Sequence, residues 1–458
     1  RRKKNSSLTS NRMKSKTSGC GTKGSKTRSP FPDEESRKAT ALTRKLKSCL
    51  RCSRQKIRCI INTHDPKGPC ETCLRASSTM SRPLCFRYKI TNSISLYREQ
   101  KEPNPIWTRR WKDFTPQNIT LWASTTIRKI KVTHGMGNSS YELEVQKFVP
   151  MDGDLMYKFW TVNGDERKCF VPPYAIVDLE KAAQSRFRFI RDNFKTYIEC
   201  SVSNSDELIQ LTYERALRHS AEAKGEEEKT LLRHALYMWV AARMSSTTEW
   251  LCGDDLLDME PVTDAASPYY KHTPIPPVMS AQFQIIAISK ILRPLKEGLV
   301  NLLTRMSSAA DTRKNWFALY LTYFILLHSC ALVTRRDREY ARQINLSTPF
   351  ANPQSISDHH FSALILLLQF HYSNKKSMPF TLVESSAKLH ELKKFAELNE
   401  DQVQFLKDTA KLVQQKRKMR QCEMMLKVRE DRNFGNDYYF ISQLYDADWC
   451  PTPIAEAL

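Results

Sequence analysis

Six of the thirteen cysteines in this 458-residue chain fall between Cys49 and Cys85, with the spacing C-x2-C-x6-C-x10-C-x2-C-x11-C. Each Cys-x-x-Cys pair can present two thiolates to one tetrahedral metal ion, the usual arrangement in structural zinc sites. Six sulfur atoms complete two four-ligand sites only if two of them bridge both ions. The spacing therefore predicts two structural Zn²⁺ ions, with the ligands Cys49, Cys52, Cys59, Cys70, Cys73 and Cys85.

The alternative interpretation is that these cysteines belong to a hydrophobic core or form disulfides. The residues between the cysteines are unlike those of a hydrophobic core, because Arg, Lys and Ser are mostly exposed in folded proteins. Nothing in the sequence indicates an oxidising compartment, where disulfides would persist. We therefore expect reduced cysteines and bound metal.

The stretch resembles the fungal-type binuclear zinc cluster of DNA-binding transcription factors. The resemblance rests on the two Cys-x-x-Cys pairs, on the basic segment that ends in Lys56-Ile57-Arg58, and on the Pro-containing loop before Cys70, and it covers about 40 residues. One departure is the final spacing of eleven residues, which is longer than usual in the family, so we expect that loop to bulge.

The resemblance implies that Cys49 and Cys70 bridge the two ions, with Cys52 and Cys59 completing one site and Cys73 and Cys85 the other. It also implies that the short helix after the first cysteine pair enters the major groove of double-stranded DNA. Lys56 would then read a CGG-type triplet, and Gln55 stands where the family more often has Arg or Lys.

Three arginines are predicted to contact DNA phosphates. Arg51, Arg54 and Arg58 recur at i, i+3 and i+7, which places them on one helical face. On an ideal helix Lys56 lies about 140° from Arg51. Both side chains can reach DNA only if the helix ends near Lys56, as the resemblance implies.

The charge of the chain is concentrated near its start. Residues 1–112 contain 29 Lys and Arg against 7 Asp and Glu, whereas residues 113–458 contain 43 against 42. A basic arm beside a near-neutral body is typical of a nucleic-acid-binding protein. Arg1–Lys4 and Arg44–Lys47 are candidate nuclear-import signals, no apolar signal peptide follows Arg1, and the absence of an initiating Met favours a fragment or a processed chain. We expect a nuclear protein.

The predicted fold class is a small α-type binuclear zinc cluster module at the amino terminus, a short β-rich segment, and a mainly α-helical regulatory domain. The boundaries are a disordered basic arm at 1–43, the cluster at 44–90, a linker at 91–120, the β-rich segment at 121–173, and the helical regulatory or interaction domain at 174–458. A tight-turn hairpin is expected around Asn163-Gly164, and a helical kink near Pro294.

Three segments leave two interpretations open. Trp107 and Trp111 bracket two arginines, which suits DNA stacking or anchoring to the next domain. Trp316–Val333 carries no formal charge, which suits a short membrane span or a buried core helix. The acidic–aromatic stretch from Asp437 to Trp449 suits an activation segment or an amphipathic terminal helix. We expect anchoring to the next domain in the first case, a buried core helix in the second and an amphipathic terminal helix in the third.

Catalysis finds no support in the sequence, because it contains no G-x-S-x-G, Walker or H-E-x-x-H motif. Metal bound by six cysteines would have no open coordination position. The favoured function is a sequence-specific, zinc-dependent regulator of RNA polymerase II transcription. Alternatives are a nuclear scaffold or corepressor whose cluster no longer reads bases, and an enzyme with a zinc-cluster appendage. Partners would be DNA and coregulators bound through the helical domain, and the oligomeric state is left open.

Overall fold

The computed structural model describes residues 33–76, 85, 87, 94–135, 139–308, 314–373, 390–391, 393–394, 396–418, 428–429, 431–446 and 449. Around the cysteines lie three helices: α1 (Glu34–Leu46), α2 (Leu50–Arg54) and α3 (Glu71–Leu74). The first of these corrects the predicted disorder of residues 1–43 over its described part. Asp33 caps α1, and Leu42 and Leu46 pack against the buried cysteines, so this segment has an apolar contact that its composition does not reveal. Residues 1–32 lie outside the described residues.

A five-stranded antiparallel sheet follows, in the order β5-β2-β1-β6-β7. Its strands are β1 (Trp122–Thr133), β2 (Tyr141–Phe148), β5 (Tyr174–Ile176), β6 (Trp250–Cys252) and β7 (Thr273–Pro274). In β1 the buried Ile130 and Val132 alternate with exposed Lys129 and Lys131, as the sequence predicts. The predicted segment at 121–173 is too short, because three of the strands that complete this sheet come from later in the chain.

The predicted hairpin is confirmed. Strands β3 (Tyr157–Val162) and β4 (Asp165–Phe170) form a separate two-stranded sheet in which Val162 pairs with Asp165. Asn163 and Gly164 form the two-residue turn with φ angles of 51° and 93°. Positive φ at both positions is typical of the type I′ turn, whose twist matches that of paired strands.

Helices of the body pack against strands β2 and β5 of the large sheet. The helices of the body are α4 (Leu179–Val202), α5 (Glu207–Glu222), α6 (Glu226–Met244), α7 (Pro277–Ile285), α8 (Arg293–Ser308), α9 (Trp316–Gln343), α10 (Pro353–Ser373), α11 (Glu400–Lys418) and α12 (Tyr438–Ile441). Between α7 and α8 the chain is π-helical over Ile286–Leu292. This wider turn precedes Pro294, which lacks the N–H that an α-helix would direct at Lys290. It lies close to the position where the sequence predicts a kink.

One described helix, α9, is long and apolar enough to cross a membrane by length and composition alone. Inside the protein, 89% of its most apolar stretch is buried against other helices. This is the packing expected of a core helix, the favoured interpretation of Trp316–Val333.

The segment predicted as a linker at 91–120 is anchored to the core over its described part. Ile94, Tyr97, Trp111 and Phe114 are buried within the main hydrophobic core. Arg110 forms a buried ion pair with Asp154 at 2.6 Å. Prolines prevent long helices here, as predicted, but the apolar residues between them pack on the body. The contacts of Trp111 and Arg110 favour anchoring over DNA stacking.

The carboxy-terminal stretch is also part of the core. After α12 the chain continues as a 3₁₀ turn over Ser442–Tyr445. The buried apolar side chains here are Phe440, Ile441, Leu444, Tyr445 and Trp449. The acidic–aromatic composition therefore serves packing, which is the amphipathic interpretation.

Candidate metal centre and nucleic-acid interface

The six predicted cysteines lie together. Their sulfur atoms form two groups of four, each with all members within 4.8 Å of one another: Cys49, Cys52, Cys59 and Cys70, and Cys49, Cys70, Cys73 and Cys85. The sulfur of Cys70 lies 3.9 Å from that of Cys49 and 3.8 Å from that of Cys52. Two thiolates on one tetrahedral zinc ion at about 2.3 Å lie about 3.8 Å apart, whereas disulfide sulfurs lie about 2.05 Å apart. The geometry fits shared metal ions.

The two halves of the cluster repeat one local design. Cys49 and Cys70 are the N-cap residues of α2 and α3. The backbone N–H of Cys49 donates to Cys59 Sγ at 3.5 Å, and the backbone N–H of Cys70 donates to Cys85 Sγ at 3.2 Å. In each half, the first cysteine thus holds the third by the same bond. The two cysteines common to both groups of sulfurs are therefore the equivalent members of a pseudo-two-fold pair.

Cationic side chains face the sulfurs. Arg51 Nη1 lies 3.6 Å from Cys73 Sγ, and Arg87 Nη1 lies 3.6 Å from Cys59 Sγ. Burial raises the pKa of Cys59, but the Cys49 N–H and Arg87 outweigh it and hold that pKa below the ordinary value. Contacts with Cys73 and Cys85, together with burial, raise the pKa of Cys49. Because the six sulfurs lie so close together, six thiolate charges would repel one another. Bound metal cations would offset that repulsion.

Two residues that support the cluster were not predicted from the sequence. Arg87 donates to Cys59 and also to the carbonyls of Lys47 and Gly68. Thr72 joins the two halves, because its hydroxyl donates to the carbonyl of Arg58 at 2.7 Å and accepts from the N–H of Ile60 at 3.1 Å. Their nearness to Cys85 and Cys73 in the sequence is a local signal that could have pointed to them.

Helix α2 ends where the DNA-reading hypothesis needs it to end. Gln55 is the C-cap, Lys56 is left-handed with φ of 50°, and the N–H of Ile57 donates to the carbonyl of Cys52 at 3.0 Å. This is a Schellman termination, in which a left-handed residue closes the last turn. The Lys56 side chain is exposed at the tip of the helix.

The other predicted contact residues do not share one outward face. Arg58 is exposed and Gln55 is half-buried. Arg51 donates toward Cys73 and, at 3.5 Å, to the carbonyl of Thr72. Arg54 donates to the carbonyl of Ser307 in the helical body at 3.1 Å, so the face expected on DNA is partly turned inward.

The chain matches one family model and is similar to one curated fungal protein. The profile of the KpeA transcription factor family matches residues 101–444, which begin after the last clustered cysteine. The chain is also similar to the satratoxin biosynthesis SC3 cluster transcription factor SAT20 of Stachybotrys chartarum, at 25% identity over 357 residues. That alignment covers 74% of this chain and 47% of the relative, so the chain spans about half of the relative's length. No solved structure matches the chain.

Proposed function

The chain belongs to the KpeA transcription factor family, and from this premise we propose that it regulates transcription in the nucleus as a zinc-dependent, sequence-specific DNA-binding protein. The observation that carries the proposal is the pair of four-sulfur groups with two members in common. The two ions would have a structural role, since their coordination would be complete.

The surroundings of the cluster support two bound ions. Two Zn²⁺ and six thiolates leave a formal charge of roughly −2, which Arg51 and Arg87 are placed to offset. The metal would hold α2 and α3 together, because the contact between these short helices is a small apolar cluster made largely of the cysteines themselves. Zinc binding and folding of this part of the chain would therefore be coupled.

In the proposed complex Lys56 reads base edges in the major groove. Its ammonium stands at the exposed end of α2, where the chain turns away and no following helical residue blocks its approach. Arg58, exposed beside it, is assigned to a phosphate. Phosphate contacts position the protein on the duplex, and base contacts select the sequence. The net positive charge of residues 1–112 would supply the nonspecific attraction.

A second candidate, a scaffold or corepressor that does not read bases, is favoured by one observation. Arg54, on the proposed reading helix, is bound to the body rather than exposed for DNA. Both candidates are compatible with family membership, so the experiment must separate sequence preference from simple retention.

Bind-and-sequence selection on the zinc-loaded full chain makes that separation. Enrichment of a common triplet supports the DNA-reading regulator. Salt-sensitive retention without enrichment supports the scaffold. A matched Cys49→Ala/Cys70→Ala chain, which lacks both shared ligands, is the control, and it should lose any enrichment while the helical body remains folded.

A further inference from the structure

The hairpin leaves one edge of β4 without a strand partner among the described residues. In a two-residue hairpin the pair that flanks the turn, here Val162 and Asp165, exchanges backbone hydrogen bonds, and these bonded pairs then alternate along the strands. Asp165, Arg167 and Cys169 therefore direct their backbone groups at β3. Glu166, Lys168 and Phe170 direct theirs away from it, toward the open edge.

We propose that this edge pairs with β4 of a second copy of the chain, in one antiparallel register set by charge. A two-fold axis at Glu166 would place two glutamates opposite each other, and an axis at Lys168 would place two lysines opposite each other. An axis at Arg167 instead places Glu166 opposite Lys168 of the second copy, twice. Opposite charges directly across a sheet stabilise it and like charges destabilise it. An axis at Glu166 would also place Asp165 opposite Arg167 twice, but Arg167 is already paired with Asp264 of its own chain, so the register centred on Arg167 is the most favourable of the three.

The side chains around the axis suit this register. The side chains of Glu166 and Lys168 are 51% and 40% exposed. Within one chain they form a salt bridge, with 3.0 Å between Lys168 Nζ and Glu166 Oε1. Arg167 would meet Arg167 of the second copy, but its guanidinium is bound to Asp264 of its own chain at 2.8 Å. That ion pair lies on the opposite face of the hairpin and compensates the charge on the axis.

The same register covers an exposed aromatic side chain. Phe170 is 77% exposed and would lie beside the turn at Gly164 of the second copy. Apart from its chain neighbours, no atom of the described residues lies within 4 Å of a Cβ built at Gly164, so there is space for a ring. Charged residues on edge strands otherwise prevent pairing. In β4 the register centred on Arg167 avoids pairing two glutamates or two lysines. The registers centred on Glu166 and on Lys168 each bring one such like-charged pair together.

Sedimentation velocity of the full chain without DNA tests the pairing, and it does not depend on the proposed DNA-binding function. We expect a concentration-dependent dimer for the unchanged chain. Glu166→Lys alone and Lys168→Glu alone should each weaken association by about tenfold or more, because both cross-strand pairs become repulsive. Circular dichroism should show that both exposed-site variants remain folded.

Mixing the variants gives the sharper result. An equimolar mixture of Glu166→Lys and Lys168→Glu chains should form a heterodimer, since every cross-strand pair is then of opposite charge. A chain with both substitutions should recover homodimerisation. The proposal is overturned if the unchanged chain stays monomeric up to about 100 µM, if the single reversals associate as well as the unchanged chain, or if the mixture associates no better than its components.

Discussion

Arg54 Nη1 donates a hydrogen bond to the backbone carbonyl of Ser307 at 3.1 Å, across 253 positions of sequence. Ser307 lies in the last turn of α8, where carbonyls have no partner within the helix and carry the negative end of its dipole. Burial lowers the pKa of the guanidinium. Leu50, at the start of the same short helix as Arg54, is buried in the main core. The proposed reading helix is thus docked on the body.

We predict that Arg54→Ala loosens this docking without changing the number of phosphate contacts. Loss of a hydrogen bond from a charged group should lower the free energy of unfolding by roughly 1.5–3 kcal/mol. The slope of log K against log salt should stay unchanged. The matched control Arg58→Ala, at an exposed position, should lower that slope by about one unit. Denaturant unfolding and duplex titrations at several salt concentrations measure both; a reduced slope for Arg54→Ala would contradict the docking role.

Elemental analysis of the full chain should give a zinc-to-protein ratio near two. Cys49→Ala or Cys70→Ala should bring the ratio toward zero, because each removes a ligand from both ions. Cys52→Ala and Cys85→Ala, which each affect one group of sulfurs, should leave a ratio near one. Cys200→Ala, at an exposed cysteine outside the cluster, is the control and should retain two ions. A ratio near one for the unchanged chain would rule out the bridged arrangement.

Local patterns in the sequence predict the parts of this protein that depend on near neighbours. The cysteine spacing brings the six sulfurs together because two short capped helices and their turns suffice to do so. The alternation of Ile130 and Val132 with lysines predicts β1, and Asn163-Gly164 predicts the hairpin turn. In each case the residues that decide the conformation lie within a few positions of it.

Contacts between distant segments could not be predicted in this way. The sequence spacing of Arg54 predicts a phosphate contact. Its actual partner, the carbonyl of Ser307, lies at the end of α8 and is brought close only by the tertiary fold. Tyr97 and Phe114 lie between prolines in a stretch that is typical of a linker, and their burial depends on a core assembled from later helices. Arg87 contacts Cys59, which lies 28 positions earlier in the sequence, so no local periodicity predicts this contact.

We predict that acid weakens the attachment of the carboxy-terminal segment through His371. Its ring stacks on Trp449 with centroids 4.4 Å apart and its Nε2 bonds the Gln443 carbonyl at 3.0 Å, while burial lowers its pKa to about 4. The ordinary pKa of a histidine is about 6.5. Between pH 6.5 and pH 4 the His371 ring is therefore protonated in the unfolded chain and neutral in the folded chain. This contribution to stability is therefore complete above pH 6.5, and lowering the pH to about 5 should remove about 2 kcal/mol of it.

Denaturant unfolding at several pH values between 7 and 5 measures this contribution. His371→Phe keeps an aromatic ring against Trp449 but cannot titrate, so the loss of stability on acidification should shrink by about 2 kcal/mol relative to the unchanged chain. Trp449→Phe is the control: it loosens the same contact without removing a titrating group, and its pH dependence should stay that of the unchanged chain. Equal pH dependence for His371→Phe and the unchanged chain would show that His371 is not responsible.

The last prediction concerns base reading by Lys56. Because Lys56 is left-handed with φ of 50°, Lys56→Gly removes the ammonium while keeping a residue that tolerates this backbone. Binding to the selected triplet should weaken by roughly 1–3 kcal/mol, and binding to a scrambled duplex should change much less, since a specific base contact is lost. Lys67→Ala, in the exposed loop before Cys70, is the matched control for loss of one positive charge. Titration of both duplexes with each variant decides the matter: if Lys56→Gly weakens the selected and scrambled duplexes by the same factor, another residue reads the bases or none does.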